Sequence, residues 1–316
     1  MNELDDFEKL PLAIVTGFLG SGKTTLINHI LKNANGLRIA VLVNELGDID
    51  IDSQLLVSID ENQIELTNGC ICCTLNEDLV QAVYNILQKR SEIDYLILET
   101  TGVADPLPVI LTFLGTELRS MTQLDAILTV VDAETILNSS IEEVQAVGEQ
   151  IIYGDIILVN KADLVSAQQL IDVKQKIAKI KPDARTIDTQ NCQISLSAVL
   201  NLHHHNFSAQ ILEIDPKIER HLENDGFTTV SFRSTRSISL KKFQQFLDYQ
   251  LPSSILRMKG IMWFDESKKC HIFQLSGKRF SIEDREWAKP PSNQIVCIGQ
   301  KLDKLQIYQL LTNCLA

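Results

Sequence analysis

The chain has 316 residues, 45% of them hydrophobic, and a formal net charge of -12. That length can bury a substantial core in more than one domain. The acidic balance argues against non-specific binding to nucleic acid or an anionic membrane surface, and no uninterrupted apolar run is long enough to span a bilayer. The start, Met1-Asn2-Glu3-Leu4-Asp5-Asp6, lacks the basic region and apolar core of a signal peptide, so a cytoplasmic address is expected. Residues 1–10 read as a flexible acidic arm.

An apolar run, Leu12-Ala13-Ile14-Val15-Thr16, reads as a buried strand. It leads into Gly17-Phe18-Leu19-Gly20-Ser21-Gly22-Lys23-Thr24, a GxxxxGK[ST] phosphate loop, and residues 25–31 continue at helical spacing. Glycines let backbone N–H groups curl around phosphate oxygens, and the helix N-terminus adds positive potential. The loop from Gly17 through Thr25 is therefore the expected nucleotide-phosphate site. Lys23 is expected on the outer phosphates and the Thr24 hydroxyl on Mg²⁺.

Residues 38–43 are a second strand candidate. Asp48, Asp50 and Asp52 follow, alternating with isoleucines, so in an extended chain the three carboxylates share one side. They suit either a solvated face or hard oxygen ligands near a metal. Three of the seven cysteines crowd together at Cys70, Cys72 and Cys73 after Asn68-Gly69. In a reducing compartment such a cluster reads as metal-binding or redox chemistry rather than a disulfide framework. Cys192, Cys270, Cys297 and Cys314 are scattered and read as small apolar residues.

Residues 75–87 carry an amphipathic helical stripe of Leu79, Val83, Ile86 and Leu87. The strand candidate Tyr95-Leu96-Ile97-Leu98 ends in Glu99-Thr100-Thr101-Gly102. After a phosphate loop, an acid so placed is expected near the Mg²⁺ shell, and the backbone of Gly102 near the γ-phosphate. Residues 126–132 and 156–159 are further strand candidates. The second ends in Asn160-Lys161-Ala162-Asp163, an NKxD motif. A buried carboxylate at Asp163 would accept two hydrogen bonds from guanine and be mismatched by adenine. The Lys161 stem would cover the base face, and residues 194–198 are a candidate for the last base-contacting loop.

Strands alternating with helices over residues 11–200 predict an α/β phosphate-loop domain for GTP, a mostly parallel sheet with helices on both faces and the nucleotide at the strands' carboxyl ends. His203-His204-His205 sits in a polar linker over 201–224 and suits either weak metal scavenging or solvation. His29, His221 and His271 are isolated and read as structural. From 225 to 316 the pattern changes. Strand candidates at 226–232, 261–264, 271–275 and 294–298, with helices at 240–251 and 304–315, predict a smaller α+β domain.

With phosphate loop, Gly69-Cys70-Ile71-Cys72-Cys73, Glu99-Thr100-Thr101-Gly102 and Asn160-Lys161-Ala162-Asp163 in that order, the chain resembles the CobW-type GTPase metallochaperones, related to the urease and hydrogenase nickel-insertion GTPases. Arg257-Met258-Lys259-Gly260 with Trp263 resembles the family's second domain. The resemblance implies GTP hydrolysis with Mg²⁺, coupled to delivery of a transition metal, often Zn²⁺, to metal-requiring client proteins. It makes Cys70, Cys72 and Cys73 the metal ligands and puts Asp48 where the family often has a glutamate near the metal. Leu46 replaces the phenylalanine common in Asn-Glu-Phe-Gly, and the histidine tract is short for the family.

Three thiolates suit Zn²⁺, which favours four ligands, and leave one position for Asp48, Glu45, water or a client's ligand. Two rival readings stay open. One is a phosphate-loop kinase for a small molecule, against which NKxD speaks. The other is a thiol metal or redox sensor with a structural nucleotide. The client, the metal in the cell and the oligomeric state, self-association included, are not legible in the sequence.

Overall fold

A computed structural model of the chain describes residues 9–34, 36–44, 64–65, 75–138, 141–201, 222 and 226–316. The readings at residues 1–8, Glu45, Asp48, Asp50, Asp52, Cys70, Cys72, Cys73, His203, His204, His205 and His221 lie outside these residues. The described residues form two compact units. One runs up to Leu196 and takes in Leu200 and Asn201; the other comprises Ser197–Val199 and everything described from 222 on.

The first unit alternates strand and helix: β1 (Leu10–Gly17), α1 (Lys23–Lys32), β2 (Ile39–Asn44), β3 (Ile64–Glu65), α2 (Leu75–Leu87), β4 (Tyr95–Thr100), α3 (Leu107–Gly115), α4 (Leu118–Met121), β5 (Thr122–Asp132), α5 (Ala133–Asn138), α6 (Ile141–Tyr153), β6 (Ile156–Asn160), α7 (Ala167–Ile180) and β7 (Thr186–Asp188). Among the described residues the sheet has seven strands in the order β3-β2-β4-β1-β5-β6-β7. Every pair is parallel. β1, β4 and β6 are buried at every position, which requires cover on both faces. Their apolar runs show no alternation for the same reason. Around Leu12, Ile14, Leu96 and Leu98 the core includes Leu79, Val83 and Ile86 of α2 and Val109, Ile110 and Phe113 of α3. Around Val131, Ile157 and Val159 it includes Ile136, Val147, Ile151, Val173 and Ile177 of α5 to α7.

Several boundaries differ from the sequence reading. Leu10, read as part of the arm, is fully buried in β1, because β1 pairs with β5 from Leu10↔Thr122 onward. β5 starts at Thr122 rather than 126. A register shift leaves Asp125 between the pairs Leu12↔Leu124 and Ala13↔Ala126. Its carboxylate accepts the Tyr95 hydroxyl at 2.7 Å and the Asn201 N–H at 2.6 Å, so a charge inside a strand is satisfied. α7 opens with a capping box in which Ser166 Oγ accepts from Gln169 N and Gln169 Oε1 accepts from Ser166 N.

The second unit holds an antiparallel sheet of β8 (Phe227–Ser234), β9 (Ile255–Met262), β10 (Cys270–Ser276), β11 (Arg279–Arg285) and β12 (Asn293–Gln300), in the order β11-β10-β9-β12-β8. After the short turn α8 (Leu196–Val199), its helices are α9 (Leu240–Gln245), which runs on as a π-helical turn over Phe246–Gln250, and α10 (Lys304–Asn313), whose N-cap Asp303 accepts from Gln306 N at 3.0 Å. Their apolar faces meet β8, β9, β10 and β12 in a core of Phe232, Phe243, Phe246, Met258, Phe273 and Leu311. β11 is an edge strand rich in charge, with Phe280 and Ile282 both about two-fifths exposed, at 41% and 40%. Charge on an edge strand discourages pairing with another chain. Arg257 is buried at 1% exposure and donates to Val199 O at 2.7 Å. Among the described residues no helix is long and apolar enough to cross a membrane.

The aromatic cluster should dominate the second unit's stability. Phe273 is fully buried and meets Phe243 edge-on with ring centroids 5.2 Å apart. Phe273→Ala should cost about 3–5 kcal/mol, and Phe280→Ala, at a half-exposed edge, under about 1 kcal/mol. Both tryptophans, Trp263 and Trp287, lie in this unit, so urea unfolding followed by their fluorescence measures the difference. Equal losses would show that the cluster is not the core.

Candidate functional site

The site grows out of the carboxyl end of β1. Gly17 there has φ 145, and a Cβ on it would lie 2.2 Å from Val130 O on the neighbouring strand. The chain then turns through Gly20 at φ 71 to Gly22 at φ 111, which is the N-cap of α1. A Cβ on Gly22 would lie 2.5 Å from Asn160 Nδ2, so both space and backbone conformation call for glycine. α1 has no side-chain cap and no acid in its first turn, which leaves its leading N–H groups and dipole facing the loop. Lys23 is buried at 9% exposure and its Nζ donates to Phe18 O at 3.4 Å, folded over the loop it is expected to serve. Ser21 Oγ is buried with no hydrogen-bond partner among the described residues, as is Thr101 Oγ1. Two orphaned hydroxyls on these loops fit a phosphate-bearing ligand with its cation: such groups cost stability unless something else satisfies them. Thr24 is half-buried and Thr25 exposed.

β4 carries the acidic loop beside the phosphate loop. Glu99, 8% exposed, sits in register with Val15 of β1 and Val43 of β2. β4 runs two residues further than the apolar run alone suggests. Thr100 is held there by a hydrogen bond from its Oγ1 to Thr16 Oγ1 at 2.9 Å. Gly102 presses on the phosphate loop, since a Cβ on it would lie 2.6 Å from Leu19 Cδ2 and 2.8 Å from Leu19 N.

The third loop follows β6, where Asn160 pairs with Asp132 of β5. Asn160 Nδ2 donates to Ser21 O at 2.9 Å, and its Oδ1 accepts from Cys192 N at 2.9 Å. Lys161 takes the left-handed region, φ 57, and its Nζ pairs with Asp132 Oδ2 at 2.7 Å. Asp163 corrects the sequence reading: it is exposed, not buried, in the short 3₁₀ turn Ala162–Leu164. It caps no helix, because that turn begins from Lys161 and α7 from Ser166. Its carboxylate accepts no hydrogen bond from the described residues and faces solvent as a free acceptor.

Sequence reasoning missed two supports of this loop. Asp132 read only as the end of a strand, yet it holds Lys161 and accepts from Glu134 N at 2.9 Å and Thr135 N at 3.1 Å. Burial pushes its carboxyl up, but the hydrogen bonds from Lys161, Thr135 and Glu134 outweigh that and hold it below its ordinary value. Cys192 is small and apolar as read, but its place is specific. It lies under Gly22, donates its thiol to Gly22 O at 3.4 Å, and is pushed up to about 12 by burial. An acid ending a buried strand one register from the NKxD asparagine was the available signal for Asp132. Nothing in the spacing pointed to Cys192.

His29 is structural as read: its Nε2 lies 2.8 Å from Ile194 O and fastens the 190s loop to α1. Among the described residues no group of three His, Cys, Asp or Glu is arranged to hold a metal ion. The structure thus brings the phosphate loop, Glu99 to Gly102 and Asn160 to Asp163 to one sheet edge. Asp48 and the three clustered cysteines lie outside the described residues.

Residues 11–188 match the family described as CobW/HypB/UreG, nucleotide-binding domain, which is more than half of the chain. The chain belongs to that family. Residues 227–315 match the cobalamin synthesis protein CobW C-terminal domain. Among relatives, "Zinc chaperone CobW" of Pseudomonas aeruginosa is 32% identical over 98% of this chain and 92% of its own length. "Zinc chaperone YjiA" of Escherichia coli is 28% identical over 94% and 96%. "Zinc-regulated GTPase metalloprotein activator 1" of Dictyostelium discoideum is 37% identical over 62% of this chain, which spans about half, 49%, of that protein.

The Asp132–Lys161 pair sets a pH dependence for this CobW-family site. The folded carboxyl titrates below its ordinary 3.8, so its stabilisation is complete above that value and is lost as pH falls through the folded-state value. Asp132→Asn keeps an oxygen for the two α5 N–H groups but loses the ion pair. The variant should be about 1 kcal/mol less stable at pH 6, since Lys161 is partly exposed, and the gap should narrow below about pH 3.8. Thermal unfolding at the two pH values measures it; a constant gap would show that the charge contributes nothing.

Proposed function

We propose that this protein is a cytoplasmic GTPase metallochaperone that hydrolyses GTP to GDP and phosphate and carries a transition metal ion, zinc first among them, to client proteins. One observation carries the coupling of the two tasks. β2 and β3 are parallel to β1, so they end at the same sheet edge as the phosphate loop. Asp48 follows the last residue of β2, Asn44, by four positions, and Cys70 follows the last residue of β3, Glu65, by five. In sequence, both positions therefore follow closely on strands that end at that edge. Cys73 precedes the first residue of α2 by two. The names carried by the relatives, zinc chaperone and metalloprotein activator, support the choice of cargo and the existence of clients.

In this reading the backbone N–H groups from Gly17 to Thr25 hold the phosphates and Lys23 neutralises charge on the outer ones. Thr24 would ligate Mg²⁺, with Glu99 in the surrounding shell, and the ion would supply Lewis-acid neutralisation of phosphate charge. The Gly102 backbone meets the γ-phosphate. Asp163 accepts from guanine N1–H and the exocyclic amine, and the Lys161 stem, pinned at its far end by Asp132, covers the base. Cys70, Cys72 and Cys73 bind the cargo as thiolates, with Asp48 in the fourth position.

Asp163→Asn should weaken GTP binding by about 2–3 kcal/mol and improve binding of xanthosine triphosphate, whose exocyclic oxygen matches the new amide donor. Calorimetric titration with both nucleotides and ATP measures this; equal GTP and ATP affinity in the parent would reject the guanine assignment.

Metal and nucleotide should be linked. A nucleotide that changes Zn²⁺ affinity by some factor has its own affinity changed by the same factor, typically about 5–150-fold. Chelator competition for Zn²⁺ should therefore differ between GDP and a non-hydrolysable GTP analogue, and Cys→Ser at 70, 72 or 73 should weaken Zn²⁺ where Cys297→Ser does not. Identical Zn²⁺ affinity in both nucleotide states would leave client docking, not nucleotide, as the trigger.

A further inference from the structure

Gln150 of α6 is fully buried, at 0% exposure, among apolar neighbours on its own helix such as Val147 and Ile151. Its amide nitrogen donates to two carbonyl oxygens of the loop that follows β4, Gly102 O at 3.2 Å and Ala104 O at 3.4 Å. A primary amide has two N–H donors, so both are committed to one loop. Its Oε1 is buried with no partner among the described residues. A glutamine in that state is a poor filler of a core: it carries the desolvation penalty of an unsatisfied acceptor that an apolar side chain of the same size would avoid. Packing therefore does not account for it.

The helix is rooted where Gln150 sits. Thr129 Oγ1 of β5 donates to Gln150 O at 2.7 Å, and a Cβ on Gly154 would lie 2.2 Å from the same hydroxyl oxygen, so α6 sits close against the strand. The amide thus reaches from a fixed point on the central sheet to the loop whose Gly102 is pressed on Leu19 of the phosphate loop. Fixing the Gly102 and Ala104 carbonyls restricts rotation of the intervening backbone.

We infer that Gln150 is a positioning residue for GTP hydrolysis, holding the 101–104 loop so that the Gly102 backbone stands where the γ-phosphate arrives. The inference rests on the GTPase reading above. It makes a selective demand. Gly102 is expected at the γ-phosphate alone, so loss of the amide acts on the triphosphate state and leaves the contacts to guanine and to the inner phosphates in place.

The experiment is Gln150→Met, which keeps the length and removes both donors, beside Gln150→Asn, which keeps the amide but shortens its reach by one methylene. Both are measured in the full chain for GTP turnover and for affinity toward GDP and a β,γ-imido GTP analogue. Each variant should lose about tenfold to a hundredfold in kcat and in analogue affinity, with GDP affinity within about twofold of the parent. A merely structural role would lower both affinities together. Equal loss of the two, or turnover within twofold of the parent in either folded variant, overturns the inference. A parent that releases no phosphate from GTP would instead refute the GTPase reading, and the analogue-to-GDP affinity ratio would still decide on Gln150.

Discussion

The Asn160 side chain lies 2% exposed between three loops and is used at both ends. Its Nδ2 donates to Ser21 O, and its Oδ1 accepts from Cys192 N at 2.9 Å and from Thr189 Oγ1 at 3.3 Å. Each of those groups would be left unsatisfied in the interior without it, at a cost of about 1–3 kcal/mol apiece. The arrangement dictates much else. Position 22 must be glycine because Asn160 Nδ2 occupies the place of a Cβ. Cys192 and Asn191 both adopt positive φ, 53 and 51, so that the chain can present the Cys192 N–H to Oδ1. A left-handed Lys161 then turns the chain out of β6 toward the exposed Asp163. The proposed phosphate and base loops are thereby tied to one amide, and neither can shift without the other.

The opposite flank of the phosphate loop is held differently. On the base side the loop is fastened by hydrogen bonds from Asn160 and Cys192. On the β4 side, Gly102 meets Leu19 by van der Waals contact, and the loop carrying Gly102 is held through Gln150. Hydrogen bonds to buried groups resist displacement more strongly than a contact between an exposed leucine and a glycine. Under the proposed function the base side is the fixed reference, and the β4 side is where a change in phosphate number would be registered. The sheet explains why these flanks differ in sequence position but not in space: β4 neighbours β1 on one side, and β5 followed by β6 lies on the other.

How far the sequence disclosed this depends on the kind of interaction. Fully buried parallel strands announce themselves as apolar runs, so β1, β2, β4, β5 and β6 were legible, and α2 was read with its observed bounds. β7, at three residues, is too short for any pattern, and β11 hides because its edge position tolerates charge. The phosphate loop and NKxD were legible as motifs because each confines its residue types to a few consecutive positions. Asp163 was expected buried from the chemistry of discrimination, yet the loop exposes it. The supports were not legible. The Asp132–Lys161 pair spans 29 residues and the Gln150 bonds to the acidic loop 48 and 46. A glutamine in an amphipathic helix reads as its polar face, and only the fold shows that it points into the core.

The chemistry of the proposed cargo site limits how strong the nucleotide's influence must be. Three thiolates are soft ligands that hold Zn²⁺ firmly, whereas a carboxylate oxygen such as that of Asp48 is a hard one and the weaker hold among the four. A switch that ejected the ion would have to overcome the thiolates. A switch that withdraws the carboxylate need only open one coordination position, through which a client's own ligand can enter. A coupling of about 1–3 kcal/mol, ordinary between two sites, is enough for that task and far too small for outright ejection. Asp48 follows the last residue of β2 by four positions in sequence, and β2 pairs with the strand that carries Glu99 and Thr100. On this reading nucleotide and metal share β2 and β4 as a common mount. GTP then acts by controlling access to the metal, and the client's ligands supply the free energy of transfer.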